Sequence, residues 1–444
     1  MKLKSWLILF AATAFCGALL AQDYEGPTVL SRSGGGLRPY GERVGEDPKF
    51  RIYAGAEAIY DYGFLPVSTN SSGGLAQVGG QFGYQGNLGV YGTKRWRRTS
   101  LGLDYTGDYR GYTKNTYYNG SDNFLGLDFG DQLDRATLLS GSVTAGTANN
   151  SFGLANNLIG VPLGNVLPTN DIFDGQTYFI NGGMGISRQI NSRFGVEMRA
   201  DGFVVERHST ALVSVRGYSP KISLSYRLNR RQTAGVIYNF VHYDYLRAFG
   251  EADVHTTMGF WSYEINRLWR FEAQGGTFVA ATAATQTVAA DPVVQALLGV
   301  STITEAFSRV VALPSGQVRL SGKTKNSTFG ISVYRGVGAG AGVTLTASET
   351  TGQLDYNYIL SRSLSFGVQV LYTSATSLSA TADRYSTDGG SVQFQYRPGA
   401  GSLVYTLRGQ YRYTNTNAFY TLSRSAYQIG IGAGWDFRDI PFLH

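Results

Sequence analysis

Three features of the sequence predict an all-β fold, a transmembrane antiparallel up-and-down β-barrel of about eighteen strands. Apolar residues recur at every second position over most of the chain. The connections between these alternating segments are short and polar at one end and often longer at the other. The 444 residues carry 13% aromatic and only 16% charged side chains, yet mean hydropathy is −0.13. Strands with one apolar and one polar face average out in this way.

The N-terminus reads as an export signal. Lys2 and Lys4 give a positive start, residues 6–20 an apolar stretch, and Leu19-Leu20-Ala21 a cleavage site before Gln22. The apolar stretch is short for a membrane span. Cys16 is the only cysteine and lies inside this signal. Phe15 before it is bulky where lipidation would call for a small residue. The mature chain then has no thiol chemistry, disulfide framework or cysteine metal site, and no cofactor is expected.

Residues 22–49 read as a flexible periplasmic leader, with Gly26-Pro27, Ser33-Gly34-Gly35-Gly36 and Arg38-Pro39 and little periodicity. The leader is too short for a plug of domain size. Net charge is +7 and falls to +5 once Lys2 and Lys4 leave. With no basic stripe interleaved with aromatics, nucleic acid is not an expected partner. No apolar run after residue 21 is long enough for a membrane helix.

At Phe50 the character changes, and it holds to Phe437. Phe50, Ile52, Ala54, Ala56, Ala58, Tyr60, Tyr62 and Phe64 alternate with positions that include Arg51, Glu57 and Asp61. This is period two, a strand with one apolar face. The pattern recurs at Leu101–Leu103–Tyr105, at Val196–Met198–Ala200, at Ile222–Leu224–Tyr226 and at Leu403–Tyr405–Leu407. Short polar turns fall near 94–98, 131–134, 191–192, 229–231, 266–268, 326–327, 361–363 and 398–401. Between them lie the longer connections, of which 148–175 and 285–314 are the largest. The count gives eighteen strands, from roughly 50–64 to 424–437, with both chain ends on the same side. The strands near 135–147 and 340–358 are weakly marked, and sixteen would also fit. A secreted β-sandwich would need linkers that are missing after residue 49, and a solenoid would need a fixed sequence repeat.

By this pattern the chain resembles a bacterial outer-membrane β-barrel protein of porin-like type, over residues 1–21 and about 50–437. The resemblance implies an outer-membrane location, lipid around the barrel, and a C-terminal strand recognised by the barrel-assembly machinery. Tyr427, Ile429, Ile431, Trp435 and Phe437 resemble that assembly signal. The usual final aromatic is followed here by a tail, 438–444, in which Pro441 cannot join a strand ladder. Trimers are common among such barrels, so a homo-oligomer is open.

If the apolar face meets lipid, the other face points inward. Candidate lumen-lining residues are Glu57, Asp61, Asp108, Arg110, Glu197, Arg199, Arg227, Arg270, Glu272, Arg408 and Arg412. A dry interior with so many ionisable groups would be costly, and eighteen strands enclose more volume than side chains alone usually fill. The expected function is passive diffusion of small polar solutes through a water-filled, charge-lined lumen. The alternative is a non-conducting barrel with a structural, adhesion or assembly role through its outer loops. Loop 285–314 carries a short helix signal, with Asp291 as cap, Pro292 at the first turn and Gly299 as stop. Such a loop could fold into the lumen as a constriction or pack over the rim, and 148–175 offers the same choice.

Catalysis is not expected. His242 with Asp244 and Asp253 with His255 put acids and histidines near the outer rim, as in omptin-like proteases, but the likeness is one of residue types. The run Gly336-Val337-Gly338-Ala339-Gly340-Ala341-Gly342 lacks the strand–helix context of a phosphate loop.

Overall fold

The computed structural model describes residues 51–63, 68–69, 75–76, 79–113, 119–148, 176–208, 212–246, 250–289, 302–340, 345–361, 363–378, 383–398, 402–417 and 422–437. The expected signal (1–21), leader (22–49) and tail (438–444) lie outside these residues. The strands in chain order are β1 (Arg51–Tyr62), β2 (Ser68–Thr69), β3 (Leu75–Ala76), β4 (Gln81–Arg95), β5 (Thr99–Tyr112), β6 (Gly120–Gln132), β7 (Thr137–Ala148), β8 (Thr177–Gln189), β9 (Phe194–Arg207) and β10 (Ser214–Arg227). They continue with β11 (Gln232–Leu246), β12 (Gly250–Glu264), β13 (Trp269–Ala289), β14 (Thr302–Lys323), β15 (Ser327–Gly338), β16 (Ala347–Ile359), β17 (Leu364–Ser377), β18 (Arg384–Tyr396), β19 (Leu403–Thr416) and β20 (Leu422–Phe437).

β2 and β3 make a two-residue ladder of their own. The other eighteen form one antiparallel sheet, and β20 returns to pair with β1. The closing register runs from Ile52↔Phe437 to Tyr62↔Tyr427. Closure gives the first and last strands a partner on both sides, which is what lets a sheet cross a bilayer. The eighteen strands agree with the sequence expectation. The two weakly marked stretches are β7 and β16. Among the described residues no helix is long and apolar enough to cross a membrane.

The alternation sorts side chains as the pleat demands. On β20, Ile429 is 52% and Ile431 63% exposed, while Gln428, next to Ile429, is 1% exposed. Phe82 on β4 and Met184 on β8 are likewise exposed beside buried neighbours. A ring of exposed aliphatic and aromatic residues on every side of a closed barrel is a lipid-facing belt.

The short turns share one local device. Asp134, Asn191, Asn229 and Asn266 each accept a hydrogen bond from the backbone N–H two residues ahead, and all but Asn229 also accept one from the N–H three ahead. Ser361 does the same with its hydroxyl, and Thr324 accepts from the N–H of Ser327. These side chains stand in for a backbone acceptor, which is why Asn, Asp, Ser and Thr recur there. The N–H of Ala136, with the hydroxyl and N–H of Thr137, holds the Asp134 carboxyl below the usual carboxylate range.

One expectation is corrected. Residues 285–289 and 302–314 are strand, not loop. β13 and β14 run for 21 and 22 residues and pair with each other from Trp269↔Gly322 to Ala289↔Thr302. Alternation continues through Thr285 and Val310, so the ladder continues too. The short helix signal at 291–299 and most of the 148–175 connection lie outside the described residues.

Candidate functional site

All eleven candidate lumen residues fall on the inward parity of their strands, but they are not spread as isolated charges in an open space. Glu57 on β1 and Arg408 on β19 form an ion pair of 3.0 Å that crosses the intervening β20. Arg199 pairs with Asp201 at 2.8 Å and Arg270 with Glu272 at 2.8 Å, each along one strand. Tyr112 donates its hydroxyl to Asp61 across β4. Arg110, Asp61 and Arg199 are buried, and the side chains of Glu57 and Arg408 are only 10% and 13% exposed. The remaining candidates, Asp108, Glu197, Arg227 and Arg412, are partly buried on the same inner face.

The glycines of the last strand explain how a bridge can cross it. A Cβ on Gly432 would sit 2.4 Å from Glu57 Cγ and 2.5 Å from the Ala56 carbonyl. The space a side chain would take is occupied by the Glu57 arm. Tyr53 uses the same device at Gly89, where a Cβ would lie 2.2 Å from its ring, and its hydroxyl reaches Thr106 at 2.7 Å. Gly432→Val is expected to cost about 1–3 kcal/mol through overpacking, read as a lower denaturant midpoint of the folded barrel in detergent. An unchanged midpoint would show that the bridge does not need this glycine.

The end of the barrel with long connections is built differently. Phe124, Phe179, Phe203, Val205, Val215, Val241, Tyr243, Tyr245, Val254, Phe278 and Ala280 all sit there, facing inward and buried in one cluster. Val337, Ala339 and Leu378 belong to the same cluster, with Leu345 packed against it. Val337 lies at the end of β15, and the other three come from the β15–β16 and β17–β18 connections, from two to several strands away in the sheet order.

The hydrogen bonds show how they reach it. The Thr346 hydroxyl bonds Tyr245 on β11 at 3.0 Å and Thr282 on β13 at 3.3 Å. Its carbonyl accepts from the N–H of Leu378 at 2.8 Å. β11 and β16 are five strand spacings apart, about 24 Å of wall. A direct hydrogen bond between them requires the chain to cross the interior. The described flanks of the β15–β16 tip, through Ala339 and from Leu345, therefore tuck into the mouth of the barrel and seat on the inner wall of β11–β13. Thr346 and Ala347 are fully buried there.

The sequence makes this tuck feasible. β14 and β15 stay paired only from Lys323↔Thr328 up to Gly316↔Arg335. Pro314, just beyond, has no N–H to offer a neighbour. Ser315 instead donates its hydroxyl to the Arg335 carbonyl at 3.0 Å. Above that point β15 keeps its ladder with β16 alone, through Gly338↔Ala347. A Cβ on Gly336 would strike the Tyr334 hydroxyl at 2.0 Å, and one on Gly338 the Glu349 carboxylate at 2.1 Å. Gly340 has φ +64°, a conformation that favours glycine. The described part of the glycine run that is not a phosphate loop, Gly336 to Gly340, thus leads into the turn of this hairpin.

Two features differ from the sequence reading. Among the described residues, it is 336–340 and 345–347 of the β15–β16 hairpin that reach into the mouth, an entry the sequence did not suggest, while 290–301 of the 285–314 stretch lies outside them. The large inward apolar cluster was also missed. Its signal was present in short runs that are apolar on both faces, such as Phe203-Val204-Val205 and Phe278-Val279-Ala280, where alternation alone shows only the outward half.

The histidines also pair differently. His242 bonds Asp253 across the β11–β12 ladder at 2.7 Å, and His255 bonds the Tyr238 hydroxyl at 2.8 Å. Asp244 pairs with Arg216 at 2.7 Å. These residues share the outer face, so the two same-strand acid–histidine pairs do not form. Among the described residues no group of three or more His, Cys, Asp or Glu is placed to hold a metal ion.

A closed antiparallel barrel with an apolar outer belt and a charge-paired inner wall defines a class, the transmembrane β-barrel of the bacterial outer-membrane type. No family model matches the chain, and no curated protein matches it. Among solved structures it is similar to the ferric-catecholate import receptor Fiu of E. coli K12, with 10% identity over 88% of this chain and 82% of that one, and a TM-score of 0.44. It is similar to Pseudomonas aeruginosa OpdQ, with 10% identity over 88% and 98% of the two chains and a TM-score of 0.40. A BenF-like porin from Pseudomonas fluorescens Pf-5 gives 14% identity over 87% and 99%, with a TM-score of 0.40.

Proposed function

We propose that the chain is an outer-membrane channel for passive diffusion of small polar solutes, narrowed at its long-loop mouth by the tip of the β15–β16 hairpin. The observation that carries this reading is the mouth itself, where Thr346, just before β16, bonds β11 and β13 across the interior. A sheet that needed only a solid core would have no use for a wall of ion pairs such as Glu57–Arg408 below that mouth. Loops that narrow a pore set its size limit, while the charges below set its field.

The apolar filling of the mouth supports a second reading, a barrel closed at that end that works through its outer loops. Reconstitution of the purified chain into a planar bilayer separates the two. Stepwise current is expected for the channel. A protein that folds, as judged by different gel mobility of boiled and unboiled samples, yet gives no current, would favour the closed barrel.

A further inference from the structure

One row of the inner wall is chemically unfinished. Ser391, Gln410, Gln428, Asp61 and Gln81 stand opposite one another in register on the adjacent strands β18, β19, β20, β1 and β4. All five face inward, and each is more than nine-tenths buried. Each also carries a polar atom with no hydrogen-bond partner. These are Ser391 Oγ, both amide atoms of Gln410, Gln428 Nε2, Asp61 Oδ1 and Gln81 Oε1. Buried polar groups are nearly always partnered, and an aligned row of exceptions calls for a reason.

The mixture of atoms points to the missing partner. The row offers donors at Gln410 and Gln428, acceptors at Asp61, Gln81 and Gln410, and a hydroxyl at Ser391 that can be either. An anion supplies acceptors alone and would face the Asp61 carboxylate. A cation supplies donors alone. A hydroxyl group supplies both. The charges beside the row also cancel locally, since Glu57 is bridged by Arg408. The row spans four strand spacings, about 19 Å, which suits a chain of hydroxyl-bearing rings better than a single small molecule.

We infer that this row is a recognition strip for a neutral polyhydroxylated solute, an oligosaccharide or polyol. The inference rests on the channel reading for how the solute reaches the row, but its test does not. The full chain in a detergent without a sugar headgroup is titrated calorimetrically with maltotriose and, separately, with citrate. Saturable maltotriose binding is expected, with citrate not bound. Gln410→Leu and Gln428→Leu should each weaken maltotriose by about tenfold. Gln410 has no side-chain partner to lose and Gln428 gives up only the Arg408 donation to its Oε1, so both variants should keep the mobility difference between boiled and unboiled samples. The proposal is overturned by absence of maltotriose binding, by affinity unchanged in both folded variants, or by citrate competing for the site. Saccharide binding without bilayer current would remove the channel and keep the strip. Current without saccharide binding would do the reverse.

Discussion

Joining Gly338 directly to Ala347 through an Asn-Gly turn is expected to raise single-channel conductance severalfold, or to create current where the native chain shows none. The two residues already face each other in the β15–β16 ladder, so a two-residue hairpin turn fits the register. The change removes Ala339, Leu345 and Thr346 from the mouth, and with them the bridges to Tyr245 and Thr282. Tyr243, Tyr245 and Phe278 then line open space instead of packing against the tip. Some stability is lost with that burial, while the ladder below Arg335 is untouched. Conductance equal to that of the native protein would mean that the tip does not narrow the path.

The largest expected stability effect lies elsewhere on the inner wall. Arg408→Met leaves the Glu57 carboxylate buried without its counter-charge and should cost about 3–5 kcal/mol. Arg408 also donates to Gln85 and Gln428, both at 3.3 Å, so these acceptors are orphaned as well. Adding Glu57→Leu removes the stranded charge. The double variant should therefore unfold at a higher denaturant concentration than the Arg408 variant alone. If the double variant is the weaker of the two, the pair is not the coupled unit described here.

The barrel was legible because its signal is periodic. A pleat of period two, polar turns led by Asn191, Asn229 or Ser361, and a closing strand at Tyr427 to Trp435 all leave marks within a few residues of each other. The inner wall was legible by parity, so Glu57 and Arg408 could be placed inward before any contact was known. Their pairing could not, because it depends on β20 lying between them with Gly432 beneath the Glu57 arm. The mouth was the least legible part. Tyr245 and Thr346 are 101 residues apart, and nothing local in either strand announces the other. The helix signal at Asp291-Pro292 lies outside the described residues, and the glycines from Gly336 to Gly340, which lack the context of a phosphate loop, do not name the wall they bend toward. In the fold those glycines are what lets the hairpin bend inward.

The claim that the β15–β16 tip lies inside the barrel mouth has a direct test. Cys16 is the only native cysteine and falls within residues 1–21, so new cysteines in the barrel should report cleanly. The Thr282 and Thr346 hydroxyls are 3.3 Å apart, close enough for replacement by a disulfide. The Thr282→Cys, Thr346→Cys protein should form an intramolecular cross-link in the folded, membrane-reconstituted state, seen as a linked peptide by mass spectrometry. Reduction should release it and restore whatever current the native chain carries. A folded barrel in which these two cysteines remain unlinked under oxidation, each modified freely by a water-soluble thiol reagent, would place the tip outside the mouth and contradict the account.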